Sequence, residues 1–413
     1  MSHPALAGES QPDVRDFGNM PFSIDLARGL PPQFHFTAQH IGQDSNLLAF
    51  HMEWFGIPWS EFARGAAPPR AWVAEIDRMV ALQKELDLPV YLAVSPIGGS
   101  RDRLAARAVG EGGTLFGDEN FGARCERLSE RPDSEALALG FHAYVVYLVR
   151  RFQPKFLALS FEVNMYERRC PEAWSDMEAF LNAEYESQKR ALPDLPVFHT
   201  FQVDVLWEAD ERSSPCFGFR RDCLLRNVSA VSGLAGDLFA LSAYPVAAYV
   251  NNGRFLPEDY LTVLASLTGK RLAVAETGYP SATVSALSFG LCIAGLPSSP
   301  EDQTRWMNRL LSDAEKMDMP FVVWWANHAP LPFASLGGCH CTDSSLSCGF
   351  LNLLPPDAQV GLRFFGLMAL RDHDGTPRPA LSPWTAAVAR AQPRRPIVPP
   401  APRRVPRAIG PRD

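Results

Sequence analysis

The sequence predicts an α/β fold, a single (β/α)8 TIM barrel with disordered termini. Three observations carry this prediction. Short apolar runs rich in β-branched and aromatic residues alternate with longer segments of helical spacing, the pattern of successive βα units. There are eight such runs. They are close to continuously apolar and come without a glycine-rich phosphate loop, which favours a closed barrel over an open doubly wound sheet.

In chain order the runs are QFHFTAQ (Gln33 to Gln39), NLLAFHMEW (Asn46 to Trp54), PVYLAVSPI (Pro89 to Ile97), FLALSFEVN (Phe156 to Asn164), PVFHTFQVD (Pro196 to Asp204), LFALSAYP (Leu238 to Pro245), RLAVAETGYP (Arg271 to Pro280) and PFVVWWANH (Pro320 to His328). Between most of them apolar residues recur at three- and four-residue steps: Trp72 to Leu86, Ser134 to Phe152, Trp174 to Ala191, Glu258 to Leu267 and Pro300 to Met317 read as helices. Only the first gap, Ala38 to Ser45, is too short for one. The boundaries that follow are an N-terminal extension over 1–32, a barrel over 33–391 and a Pro/Arg-rich tail over 392–413, both ends expected to be mobile. The tail's six arginines read as a solvated segment.

A chain of 413 residues with 46% hydrophobic and 21% charged residues can bury a full core. Its formal charge of -7 excludes the basic footprint that a nucleic-acid partner demands and suits a neutral substrate. No run of eighteen apolar residues is present, so no membrane span is expected. The opening MSHPALAGES lacks the apolar centre of a secretory signal, although its Ala-Leu-Ala-Gly run resembles the end of one. That would fit an exported protein whose signal peptide is absent from this chain. Of the eight cysteines, Cys216 and Cys223 flank a short loop and Cys339, Cys341 and Cys348 crowd another, the placement of loop disulfides rather than of a structural zinc site. The segment Tyr279 to Ser299 is small and apolar without the Asp/Asn clusters of a calcium loop, so neither metal nor cofactor is expected.

In a barrel of this kind reactive groups stand at the C-terminal ends of strands. Two runs end in glutamate. Alternation puts Ala158, Ser160 and Glu162 on one face of FLALSFEVN, with Leu157, Leu159 and Phe161 on the other; the bulky face should meet the helices, so Glu162 points into the barrel mouth. Glu276 holds the corresponding place in RLAVAETGYP, where alternation is less clean because Ala273 and Ala275 give the outer face little bulk. A carboxylate ending an apolar strand is costly to bury without partners, which marks both as site candidates over simple loop anchors. Polar groups that could meet substrate hydroxyls are His51, on a face with Glu53, and Gln202, on a face with Thr200 and Asp204; Asn164 follows Glu162 by two. Trp324 and Trp325, adjacent in one strand, must face opposite ways. Trp54 and Trp59 read equally as an aromatic platform or as loop packing.

The FEVN and AETGYP motifs resemble those of the large clan of retaining glycosidases that carry the acid/base on barrel strand four and the nucleophile on strand seven. With LSAYP before it, the second motif is most similar to the endo-β-galactanases of glycoside hydrolase family 53. The likeness covers roughly Phe34 to Trp384. It implies a hydrolase of β-glycosidic bonds in a poly- or oligosaccharide, with Glu162 as general acid/base and Glu276 as nucleophile; in retaining enzymes the two carboxyls stand about 5 to 5.5 Å apart. It also implies that Tyr244 lies beside the nucleophile and that Trp325 stacks on a sugar ring. Where the clan has Asn immediately before the acid/base, this chain has Phe161. The clan's arginine near the end of the second strand is replaced by His51 and Glu53. Phe161 keeps open the alternative of a non-catalytic saccharide-binding barrel that has lost hydrolysis.

Overall fold

The computed structural model describes residues 15–20, 40–52, 56–108, 121–209, 216, 218–247, 256–288, 291–329 and 363–391. Eight parallel strands close into a barrel: β1 (Asp16–Met20), β2 (Leu47–His51), β3 (Val90–Ala93), β4 (Phe156–Ala158), β5 (Val197–Gln202), β6 (Leu238–Ala243), β7 (Arg271–Thr277) and β10 (Phe321–Ala326). An antiparallel pair, β8 (Val284–Ser288) and β9 (Leu291–Leu296), is inserted after β7, where the sequence reads as a loop. Helices Arg70–Leu86, Ser134–Phe152, Trp174–Ala191 and Pro300–Lys316 fall where their spacing predicts them, and Val263–Thr268 is a shortened form of the Glu258–Leu267 expectation.

The first strand corrects the sequence reading. It is Asp16–Met20, inside the segment expected to be a mobile extension, whereas residues 33–39 lie outside the described residues. DFGNM carries no β-branched residue and only one aromatic, so it lacks the apolar pattern of a strand. Polar side chains hold it instead. Asp16 pairs with Lys155 at 2.5 Å, and Asn46 Oδ1 accepts the Phe17 N–H. Asn19 donates to the Trp324 carbonyl at 3.0 Å and accepts from Ser45. Starting at residue 16 also removes the anomaly of a gap too short for a helix, since residues 40–44 are helical and precede β2.

Two apolar layers surround the strands. Leu48, Phe50, Leu157, Leu159, Leu241, Val274 and Trp324 face outward against the helices. Inside, Tyr91, Phe156, Phe198 and Phe321 pack ring to ring with centroids 4.5–6.0 Å apart and fill the lower barrel. Above this floor the interior side chains shrink to Ala93, Ala158, Ala240, Ala273 and Ala275. Volume is thus withdrawn toward the C-terminal end, where an active site needs room.

Closure depends on a buried charge. Asp44, 3% exposed, receives two hydrogen bonds from Arg371 at 2.7 and 2.8 Å and one from Asn327 at 2.9 Å, and its backbone carbonyl accepts Trp384 Nε1. The segment before β2, the end of β10 and the C-terminal helix Leu381–Ala391 are so tied together. Two disulfides staple outer loops: Cys216–Cys223, as the sequence suggests, and Cys125–Cys170. Residues 339, 341 and 348 lie outside the described residues.

Two stability outcomes follow. Asp44→Ala leaves the Arg371 guanidinium uncompensated and is expected to lower the unfolding free energy by about 3 to 5 kcal/mol, read from urea denaturation; a loss under about 1 kcal/mol would show that the pair does not hold the closure. His199, 1% exposed behind β4, bonds Ser160 Oγ at 2.9 Å, and burial, then the Lys270 charge, brings its pKa down to about 3. The unfolded chain therefore takes up a proton near pH 6.5 that the folded chain refuses until about pH 3. Stability should fall as pH drops through that window, and His199→Asn should flatten the acid side of a plot of Tm against pH; an unchanged slope would assign the loss to other groups.

Candidate active site

Glu162 and Glu276 reach the barrel mouth because strand geometry is broken next to each. In β7 the register slips between its neighbours: Leu241 pairs with Val274 but Ser242 pairs with Glu276, leaving Ala275 as an extra residue. Such a bulge lets two successive side chains share a face. Ala273 and Ala275 belong to the interior cluster and Val274 to the outer one, while Glu276 meets the inward-facing Tyr244 and Thr277 bonds outward to Trp306. Plain alternation would have put Glu276 with Leu272 and Val274, against the helices. In β10 alternation runs undisturbed through Trp325, with Phe321, Val323 and Trp325 inward and Val322 and Trp324 outward, and the register shift that pairs Asn19 with Trp324 and Met20 with Ala326 turns only Ala326 inward as well.

β4 breaks differently. It ends at Ala158, and the expected placement of Ser160 inside and Phe161 outside is reversed. Ser160 turns back to His199, whereas Phe161 joins the interior cluster and stacks on His51 with centroids 4.9 Å apart. Glu162 then adopts a left-handed backbone (φ 45°, ψ 45°) and directly precedes helix Val163–Arg169. Thr200 Oγ1 accepts its N–H at 2.8 Å. The side chain, 15% exposed, accepts a hydrogen bond on Oε2 from Arg101 at 3.2 Å.

Glu276 is 14% exposed and held differently. The Tyr244 hydroxyl donates to its Oε1, and His51 Nδ1 lies 3.5 Å from its Oε2. Burial, with the Arg101 charge adding to it, brings the His51 pKa down to about 3, so this ring is neutral and not a second cation. Burial and the Glu276 charge push the Tyr244 phenol well above its ordinary range, with a smaller effect from Glu162, so it remains a donor. Trp325 closes one side, edge-on to His51 at 5.8 Å and against Phe365 at 5.0 Å, with Phe364 beside Tyr244 at 6.1 Å.

Several expectations need correcting. Asn164 does not present its amide to the mouth: its Oδ1 and Nδ2 both bond the Gln202 backbone, at 2.8 and 3.0 Å, locking the helix after Glu162 to β5. Gln202 is itself a helix cap, its Oε1 accepting from Val205 N–H and its Nε2 donating to Asp204. His51 is buried against Glu276 and not turned to solvent. Trp59 packs between Phe121 and Phe141 and donates to the Ala105 carbonyl, which is loop packing. Glu53 and Trp54 lie outside the described residues.

Three residues of the mouth were missed. Phe364 and Phe365 belong to a short helix over residues 363–368, after a segment without strand or helix periodicity. Arg101 sits in the loop after β3, and Gly98 and Gly99 just before it were the only sign of a tight turn there.

No protein-family model matches the sequence, and no curated protein matches it. Solved structures do match the fold. It is similar to GH5_18 from Bifidobacterium longum subsp. infantis, with a TM-score of 0.55 and 14% identity over 91% of this chain and 79% of the other. It is similar to GH5_18 from Streptomyces cattleya in complex with GlcNAc, with a TM-score of 0.53 and 14% identity over 94% and 82%. An exo-beta-1,4-mannosidase from Opitutaceae bacterium strain TAV5 gives a TM-score of 0.57 and 12% identity over 94% of this chain and 63% of its own. These neighbours are (β/α)8 glycoside hydrolases of clan GH-A, the architecture that the two glutamate motifs resemble, and at such identities the likeness is one of fold.

Proposed function

We propose that the protein is a retaining glycoside hydrolase of β-linked sugars, with Glu276 as nucleophile and Glu162 as general acid/base. The observation that carries this reading is the pair of glutamates at the ends of β4 and β7, each held by a different partner, Glu162 by Arg101 and Glu276 by Tyr244. Tyr244 bonds one oxygen of Glu276 and the neutral His51 ring lies 3.5 Å from the other, a setting that suits an anion that must attack along a fixed line. A Glu276 oxygen bonds to the anomeric carbon as the glycosidic C–O bond breaks, and Glu162 supplies the proton that the departing oxygen takes. Glu162 then removes a proton from water, the water oxygen replaces Glu276 at the anomeric carbon, and both carboxyls return to their starting states. Trp325 and Phe365 offer flat apolar faces to a sugar ring.

The clan GH-A neighbours support the glycosidase reading at the level of fold. The finer likeness to family 53 rests on AETGYP and LSAYP alone, so galactan is one substrate class to test beside mannan and glucan. The two disulfides agree with export to an oxidising compartment.

The non-catalytic alternative has one observation in its favour: Phe161, 2% exposed, brings an apolar ring to the position before Glu162. A panel of β-mannans, β-galactans and β-glucans separates the two readings. Hydrolysis should occur, Glu162→Gln should lower kcat/KM by about 100- to 10,000-fold, and Glu276→Gln should lower it at least as far. Binding without cleavage would favour the alternative, and variants as active as wild type would refute the site. Tyr244→Phe removes a hydrogen bond to a charged group worth about 1.5–3 kcal/mol and should lower kcat about 10- to 100-fold with little change in fold; full activity in this variant would show that the phenol does not orient Glu276.

A further inference from the structure

Arg101 is a nearly buried cation, its side chain 9% exposed, in a backbone conformation that few arginines adopt (φ 56°). Left-handed backbone at a non-glycine residue persists only where its surroundings hold it. The loop that carries it is tied on itself: Arg101 N–H and Nη1 both donate to the Gly98 carbonyl, Gly98 N–H to Arg103, and Ala105 N–H to Pro96. It is also tied from outside on both flanks of Arg101. Arg169 donates to the Ser100 carbonyl, and Cys125 N–H donates to the Asp102 carbonyl at 2.7 Å.

These outside ties lead back to Glu162. Arg169 ends the helix that Glu162 precedes, and Cys170, the next residue, is joined by its disulfide to Cys125. A closed circuit therefore runs from Glu162 along its helix to Cys170, across the disulfide to Cys125, through Asp102 to Arg101, and from the guanidinium back to Glu162 Oε2 at 3.2 Å. On its other side the guanidinium lies 5.8 Å from the centroid of Phe161, whose ring rests on His51. The carboxyl of Glu162 is fixed on one oxygen, which leaves the other for the reacting bond.

We propose that Arg101 is a positioning residue for Glu162, acting on the orientation of its carboxyl, and that the Cys125–Cys170 disulfide holds Arg101 in place. This rests on the reading of Glu162 as acid/base. A misoriented acid slows cleavage only where the leaving group needs a proton, so the test compares kcat/KM on phenyl and on 2,4-dinitrophenyl β-glycosides of mannose, galactose and glucose. The ratio of the two substrates within one variant does not depend on how much of the preparation is folded.

Arg101→Met should lose at least about ten-fold more on the phenyl than on the dinitrophenyl substrate, and Arg101→Lys, which keeps a cation, should recover much of that difference. The Cys125→Ala/Cys170→Ala pair should show the same imbalance in smaller measure. Equal losses on both substrates in Arg101→Met would reduce Arg101 to a structural role and overturn the proposal; an undisturbed ratio in the cysteine pair would overturn the part given to the disulfide. Glu162→Gln serves as the reference. If it loses both substrates equally, or if wild type cleaves none of the glycosides, the acid/base reading itself fails; if it discriminates and Arg101→Met does not, only the role of Arg101 fails.

Discussion

A β-strand shows successive side chains to opposite faces, and in a closed barrel that rule sends every second residue into a filled interior. The two glutamates of this barrel's mouth stand where they do because the rule is suspended at two strand ends. An extra residue at Ala275 turns Glu276 inward, and the irregular exit of β4 exchanges Ser160 for Phe161 before the left-handed turn at Glu162. Each departure occurs above the point where interior side chains shrink to alanine. Below it the pleat is regular and the aromatic floor keeps the strands in register, so the irregular ends rest on a base that does not need them to be regular.

The polar groups at those ends are held by the elements that flank them, in layers. Asp204 illustrates this. Fully buried, it accepts the Tyr260 hydroxyl at 2.5 Å and the Tyr244 backbone N–H at 3.2 Å, so the residue that touches Glu276 is fixed at its backbone by a carboxylate two strands' ends away from the chemistry. Asn164 and Gln202 do similar work for Glu162 by joining its helix to β5. Buried groups with all their bonds made inside the protein lose little freedom when a substrate arrives, and that is the physical meaning of a preorganised site.

This division explains what could be read in the sequence. The strands β2 to β7 and β10 are legible because burial between helices and a filled interior demands long apolar runs. β1 is not, because Asp16, Gly18 and Asn19 are chosen for an ion pair, a close approach and a hydrogen-bond network; a Cβ on Gly18 would stand 3.1 Å from Leu47. Glu162 and Glu276 stand out as charges ending apolar strands, yet the face assigned to Phe161 was wrong and that of Glu276 had no clean basis, since a bulge has no periodicity of its own. Arg101, Phe364 and Phe365 come from loops or short elements whose position depends on tertiary contacts, such as the bonds from Arg169 and Cys125 on either side of Arg101 and the packing of Phe365 on Trp325. Asn164 and Gln202 are harder to read for the opposite reason: both make bonds inside the protein, and an amide in a strand-end motif looks the same whether it faces a ligand or a backbone.

The mouth also shows how two identical side chains can be made different. Glutamate at 162 and glutamate at 276 share a barrel end and nearly the same exposure. One is met by a guanidinium, the other by a phenol and an imidazole that burial keeps neutral. The Phe161 ring lies 5.8 Å from the Arg101 guanidinium carbon and 4.9 Å from the His51 ring, next to one partner of each glutamate. An apolar residue at 161 is then part of these surroundings and not only a missing hydrogen bond.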